Sequence, residues 1–214
     1  MRPRVTLTFD NGPTRVTARV LDVLAERGLR ASFFLVGERL ERPGARALAE
    51  RAARDGHRIG NHSLTHATPL GVNDDPAEAE REIDGMQALL GDLVSGERCF
   101  RPFGGGGVID RNLLGRHALE RLVRGAYTCV LWSSVPRDWE NPAGWPDVCL
   151  EQIAARPWSV VVLHDLPTGA MERLPVFLDA LSARGVDVVH DFPDDCVPLR
   201  VGQPTASFAA LPLA

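Results

Sequence analysis

Two histidines four residues apart, His62 and His66, and a third closing an apolar run, His164, are the side chains of this sequence best suited to joint chemistry. Imidazoles at i and i+4 project from one face of a helical turn, a workable spacing for two ligands to one divalent ion. Capping or core histidines leave the same pattern, so the pair alone does not decide. Asp10 and Asn11 follow a β-rich run and precede Gly12-Pro13. Asp and Asn are good helix caps, and Pro suits a first helical turn. Asp10 could instead serve as a general base, and Asn11 could offer its amide oxygen to a metal.

Arg101 closes another short apolar run. Its charge is permanent, so burial would demand a carboxylate partner, for which Asp10 is the candidate. Gly104 to Gly107 are four consecutive glycines, able to let the backbone approach closely and to expose N–H groups to a developing oxyanion. A flexible loop would read the same way. His164, after Val160-Val161-Val162-Leu163, is placed to donate a proton to a leaving amine. Asp138 could orient that imidazole, and the neighbouring Asp165 is the alternative. Of Trp132, Trp139, Trp145 and Trp158, Trp139 is assigned to the site, since aromatic faces suit sugar rings.

These residues gain meaning from the elements that carry them. Strand-like runs at Arg4–Phe9, Ala31–Val36, Arg58–Asn61, Cys99–Arg101, Ala126–Trp132, Ser159–His164 and Val186–His190 alternate with helical patterns at Pro13–Arg27, Ala45–Asp55, Pro76–Leu90, Asp110–Arg124, Trp145–Arg156 and Glu172–Arg184. Alternation of this kind predicts βαβ units and a parallel sheet, either a barrel or a doubly wound sheet. In both folds sites gather at the carboxyl ends of the strands, and the unusual polar residues above fall at such ends. The segment beyond about residue 192 is Pro-rich and reads as a surface tail.

The whole chain of 214 residues suits one domain. A net charge of -4 gives no basic field for nucleic acid. All 24 basic residues are Arg, and they are scattered. The four cysteines form no CxxC pair, which argues against a thiolate metal site or a redox motif. No apolar stretch is long enough to span a membrane. Met1-Arg2-Pro3-Arg4 leads directly into a strand, so the expected location is cytoplasmic, or secreted or periplasmic where a leader has been trimmed away.

Five segments, in order, resemble the motifs of the polysaccharide deacetylase family (NodB-like, carbohydrate esterase family four): Thr8-Phe9-Asp10-Asn11, His62-Ser63-Leu64-Thr65-His66, Arg101-Pro102-Phe103-Gly104, Asp138-Trp139 and Leu163-His164-Asp165. The resemblance implies a distorted (β/α) barrel of about seven repeats with parallel strands. It implies a divalent metal, often zinc, with cobalt, nickel or manganese as alternatives, held by His62, His66 and the residue at position 11. It further implies Asp10 as catalytic base, His164 as acid, Arg101 orienting Asp10, and Asp138 tuning His164. A backbone N–H near Phe103 and Gly104 would hold the oxyanion, and Leu163 and Trp139 would line the slot for the acetyl methyl. Two positions depart from the family pattern. Asn11 stands where the family has an Asp, and Phe103 with its glycines replaces a Pro-Tyr-Gly turn, which opens the mouth of the site.

The expected activity is removal of an acetyl group, N-acetyl first, from an acetylated sugar or polysaccharide. A related hydrolase acting on a small cytoplasmic amide, and a non-catalytic carbohydrate-binding protein with a weakened metal site, are the alternatives.

Overall fold

The computed structural model describes residues 2–213. Its central strand is β1 (Arg4–Gly12), followed by α1 (Thr17–Glu26), β2 (Ser32–Leu35), the short α2 (Gly37–Leu40), α3 (Ala45–Arg54) and β3 (Arg58–Asn61). Then come α4 (Pro76–Glu80) and α5 (Met86–Leu90), joined by a π turn at Arg81–Gly85, and β4 (Cys99–Phe100). The second half runs α6 (Arg116–Arg124), β5 (Thr128–Cys129), α7 (Trp145–Ala154), β6 (Trp158–His164), α8 (Leu174–Ala183), β7 (Asp187–Val189), β8 (Leu199–Arg200) and β9 (Gln203–Pro204).

The strands curl into a distorted barrel. Neighbours run β6-β1-β2-β3-β4-β5, all parallel. The ring closes where Ser134, beyond β5, bridges to Val161 of β6. A second irregularity lies at β1. Its first residues, Arg4–Thr6, pair with β7, while Thr8–Gly12 pair with β2. Two strands therefore share one edge of β1.

The expected alternation holds with two exceptions. The segment after residue 192 is not a surface tail: Cys196, Val197 and Leu199 are buried, and β8 with β9 forms an antiparallel hairpin added to β5. The physical reason is apolar; those side chains pack along the free edge of β5 in one cluster with Tyr127 and Cys129. The helix expected from Asp110 begins only at Arg116, because Asp110 accepts from the Asn112 amide in a turn and competes with helix formation.

Two layers of core follow from the two-residue alternation of the strands. Val5, Leu7 and Phe9 of β1 and Val161 and Leu163 of β6 face outward into the helices. Val160 and Val162 face the barrel interior with Phe34 and Phe100. Each fully buried branched side chain contributes about 1.5–3 kcal/mol, which anchors β6 in the core, and β6 pairs with β1 in unbroken register from Arg4 to Asp10. That register sets Asp10 opposite His164. Adjacent residues of parallel strands share a face, so both side chains emerge at the same carboxyl-end rim. No helix of the described residues is long and apolar enough to cross a membrane.

Candidate active site

Asp10 is buried, and its carboxylate lies between two groups carried at the ends of β3 and β4. Arg101 Nη1 donates to Asp10 Oδ1 at 3.0 Å, and His62 Nε2 lies 3.8 Å from Asp10 Oδ2. Arg101 is fully enclosed. Its other donors go to Thr8 Oγ1 at 2.5 Å and to the Val130 and Leu131 carbonyls at 3.2 Å each. Its guanidinium lies 4.1 Å over the Phe34 ring. A desolvated charge is tolerated only when paired and hydrogen-bonded in this way, so the expected Arg101–Asp10 pair is present and complete.

The histidines do converge, but not on a helical turn. Residues 62–68 are irregular, and Ser63 and His66 take left-handed backbone angles (φ 70° and 57°). Side-chain oxygens have captured the local amides: Asn61 Oδ1 accepts from Ser63 N at 3.0 Å, and Ser63 Oγ from His66 N at 3.0 Å. Such local bonds offer the backbone an alternative to a helix. The two rings end 4.9 Å apart, centroid to centroid. His62 Nδ1 bonds the Arg101 carbonyl at 2.8 Å, which turns Nε2 toward Asp10. His66 stacks on Phe103 at 3.8 Å. Burial pushes both imidazoles down to about 3, with their mutual repulsion adding at His66. Both are therefore neutral at physiological pH, the form in which an imidazole binds metal.

Asn11 shares this cleft and adopts a left-handed conformation (φ 69°). Its backbone carbonyl accepts from Arg39 Nη1 at 2.5 Å, while its side-chain Oδ1 is buried without a hydrogen-bond partner. An orphaned buried acceptor is costly, and a cation would satisfy it. Among the described residues no three His, Cys, Asp or Glu side chains form a metal cage. A cation here would therefore draw on two neutral imidazoles and this amide oxygen, a donor set that fits a divalent ion of borderline softness.

Across the cleft, His164 Nδ1 bonds Asp138 Oδ1 at 2.8 Å, and the His164 amide donates to Asp138 Oδ2 at 2.9 Å. Burial alone would lower this histidine. The bond to Asp138 and its charge, with Asp10 and Asp165 adding, overcome it and hold His164 above the usual imidazole range. Of the two candidate partners, Asp138 is the one bound. Asp165 turns the other way, accepts from the Thr17 hydroxyl, and is pushed up to about 6 by burial. Trp139 packs edge-on against the His164 ring at 4.7 Å.

The cleft is about 300 Å³, lined by Asp10, Asn11, His62, His66, His164 and Trp139 together with Phe103 and Gly104. Leu163 is not part of it. Strand alternation sends Leu163 outward, where it is fully buried in the helical layer, so it cannot border an acetyl slot from β6. Val162, on the same face as His164, lines the cleft instead, with Leu166 beyond it. Counting back two residues from His164 would have identified Val162. Trp132 was also missed: it borders the cleft, and its Nε1 donates to the Gly107 carbonyl at 2.8 Å. That bond shapes the glycine loop, whose Gly106 and Gly107 need positive φ (64° and 78°). Trp145 is core material, and Trp158 packs under Arg4 at the other end of the barrel.

A profile of the polysaccharide deacetylase family matches residues 1–116. A chitooligosaccharide deacetylase of Rhizobium leguminosarum bv. trifolii is 31% identical over 161 residues, covering 74% of this chain and 70% of the relative. YheN of Bacillus subtilis (strain 168) is 28% identical over 195 residues, covering 85% of this chain, which spans 64% of that relative's length. Among solved structures, a family 4 acetyl xylan esterase from Clostridium thermocellum in complex with a cobalt ion superposes with a TM-score of 0.69 at 27% identity, covering 86% of each chain. With the fold, the ordered motifs and these matches in agreement, the chain belongs to the polysaccharide deacetylase family.

Proposed function

We propose that this chain is a metal-dependent hydrolase that removes an N-acetyl group from an acetylated sugar, with acetate and a free amine as products. The observation that carries this reading is the placement of Asp10 and His164 in register on adjacent strands, with His62, His66 and the unpartnered Asn11 oxygen in the same cleft. The relatives' carbohydrate substrates and the cobalt ion of the esterase support it.

His62, His66 and Asn11 are the residues that would hold the cation; zinc is the first candidate, with cobalt, nickel and manganese behind it. When bound, a divalent ion supplies Lewis acidity toward the acetyl carbonyl and lowers the pKa of water. Asp10, with one oxygen fixed by Arg101, keeps the other toward the cleft as acceptor for the attacking water's proton. His164, kept protonated by Asp138, donates to the departing nitrogen. Proton uptake at Asp10 and proton delivery at His164 balance the hydrolysis. Backbone N–H groups at Phe103 and Gly104 are the candidates for the oxyanion. Trp139, Val162 and Leu166 give the acetyl methyl an apolar wall.

The cleft volume lies at the small end of the ~300–1,000 Å³ usual for ligand sites. The test is acetate release from N-acetylated chitooligosaccharides and from small aliphatic amides, assayed with metal-stripped and zinc-reconstituted protein. Zinc-dependent release from the oligosaccharides is expected. Release from the small amides alone would move the substrate to that class, and no release from either would overturn the enzymatic reading.

A further inference from the structure

The helix from Pro76 to Leu90 is broken by a π turn at Arg81–Gly85. A π turn leaves backbone groups outside the regular ladder, and such turns gather near functional sites. Here the Ile83 carbonyl accepts from Asn61 Nδ2 at 2.8 Å. Glu82, 2% exposed, points to the same place. Its carboxylate accepts from Thr65 N at 2.9 Å and from Thr65 Oγ1 at 2.8 Å, and it pairs with Arg81 at 2.8 Å. Asn61 and Thr65 immediately precede His62 and His66. Two adjacent residues of one π turn therefore grip the chain just ahead of each cleft imidazole. The segment from His62 to His66 has two left-handed non-glycine residues, Ser63 and His66. Backbone of that kind persists only where its surroundings over-determine it.

We propose that Glu82 is a positioning residue for His66, acting through Thr65 to hold the second imidazole in its ligating pose. The proposal rests on the metal reading above. Glu82 lies outside the five motifs and touches no reacting group. Its three donors all come from Thr65 and Arg81, and only Thr65 leads to the cleft.

The test is calorimetric zinc titration of the metal-stripped full chain, with the visible absorption of the cobalt(II)-loaded protein as a measure of coordination geometry. Glu82→Ala is expected to weaken zinc about 10- to 100-fold, the usual effect of losing an outer partner of a metal ligand, and to alter the cobalt spectrum. Glu82→Gln, which retains an oxygen acceptor for Thr65, is expected to recover most of the affinity. Thr65→Val is expected to weaken zinc in the same direction, and the Glu82→Ala/Thr65→Val double variant to be no worse than Glu82→Ala. Wild-type affinity and spectrum in Glu82→Ala, or fully additive losses in the double variant, would overturn the proposal. Should Glu82→Ala fail to fold, Thr65→Val decides, and unchanged zinc binding in it counts against the idea. Wild-type protein that takes up no zinc overturns the metal reading itself; zinc-binding wild type with an indifferent Glu82→Ala overturns only the role of Glu82.

Discussion

Asp138 holds His164 through both of its oxygens, one on the imidazole Nδ1 at 2.8 Å and one on the backbone amide at 2.9 Å. A single enclosed carboxylate thus fixes the ring's orientation and favours its protonated form. The ring nitrogen left over, Nε2, is the one available to a substrate. This pairing links a loop residue beyond β5 to the last residue of β6, across the seam where the barrel closes.

Asp138→Asn keeps the shape and removes the charge. Because His164 is held above its ordinary value, the acid form should persist beyond pH 6.5 and be lost as pH rises through the raised value. In the variant the alkaline limb of the kcat profile should move to lower pH, and kcat should fall by about 10²- to 10⁴-fold. A pH–rate profile checks this, and an unmoved alkaline limb would remove His164 from the role of acid.

His164→Ala should abolish acetate release while leaving zinc affinity as in wild type. The proposed ligands sit on other segments, β1 and the loop after β3. Calorimetry is the check, and loss of zinc in this variant would make His164 a ligand.

Asn11→Asp should raise zinc affinity about tenfold, equivalent to ~1.4 kcal/mol, because a charged oxygen replaces a neutral one at an acceptor that now has no partner. Weaker binding in the variant would exclude position 11 from the ligand set.

Arg101→Met removes the guanidinium that pairs Asp10 and satisfies Thr8, Val130 and Leu131. The buried Asp10 is left uncompensated, and breaking such a pair costs about 3–5 kcal/mol. Urea denaturation should show a lowered midpoint with an unchanged slope, the product of shift and slope matching that loss.

Acid should destabilise the metal-free protein well above the carboxylate range. Burial lowers His57 to about 4 and His62 and His66 to about 3. In the unfolded chain these groups take up protons near pH 6.5, and in the folded chain they do not. Their contribution is fully present above pH 6.5 and is lost progressively as pH falls from there through the folded values of about 4 and 3. His164, raised rather than lowered, works in the opposite sense: its contribution is complete below pH 6.5 and fades as pH rises. Denaturation midpoints at pH 7, 5 and 4 should decline in order, and His57→Phe should flatten part of the decline.

Much of this was written in local sequence. The alternation of apolar strands and amphipathic helices determined the βα architecture, because burial periodicity is a property of a few consecutive residues. The five polar strand ends located the site, since the carboxyl end of a strand is where a side chain can leave the core. Arg101 could be matched to Asp10 before any coordinates, because an enclosed guanidinium needs a carboxylate and few were suitably placed. What sequence could not decide depends on distant segments meeting. The choice of Asp138 over Asp165 turned on a loop crossing the barrel seam. The exclusion of Leu163 and entry of Val162 needed no such meeting: with His164 in the cleft, two-residue alternation along β6 already puts Val162 on its face and Leu163 on the other. The histidine pair kept its spacing but not its helix: Asn61 and Ser63 capture the local amides, and the distant Glu82 and Ile83 supply the contacts that brace the segment in that shape. Long-range packing determines such things, and no window of neighbouring residues contains it.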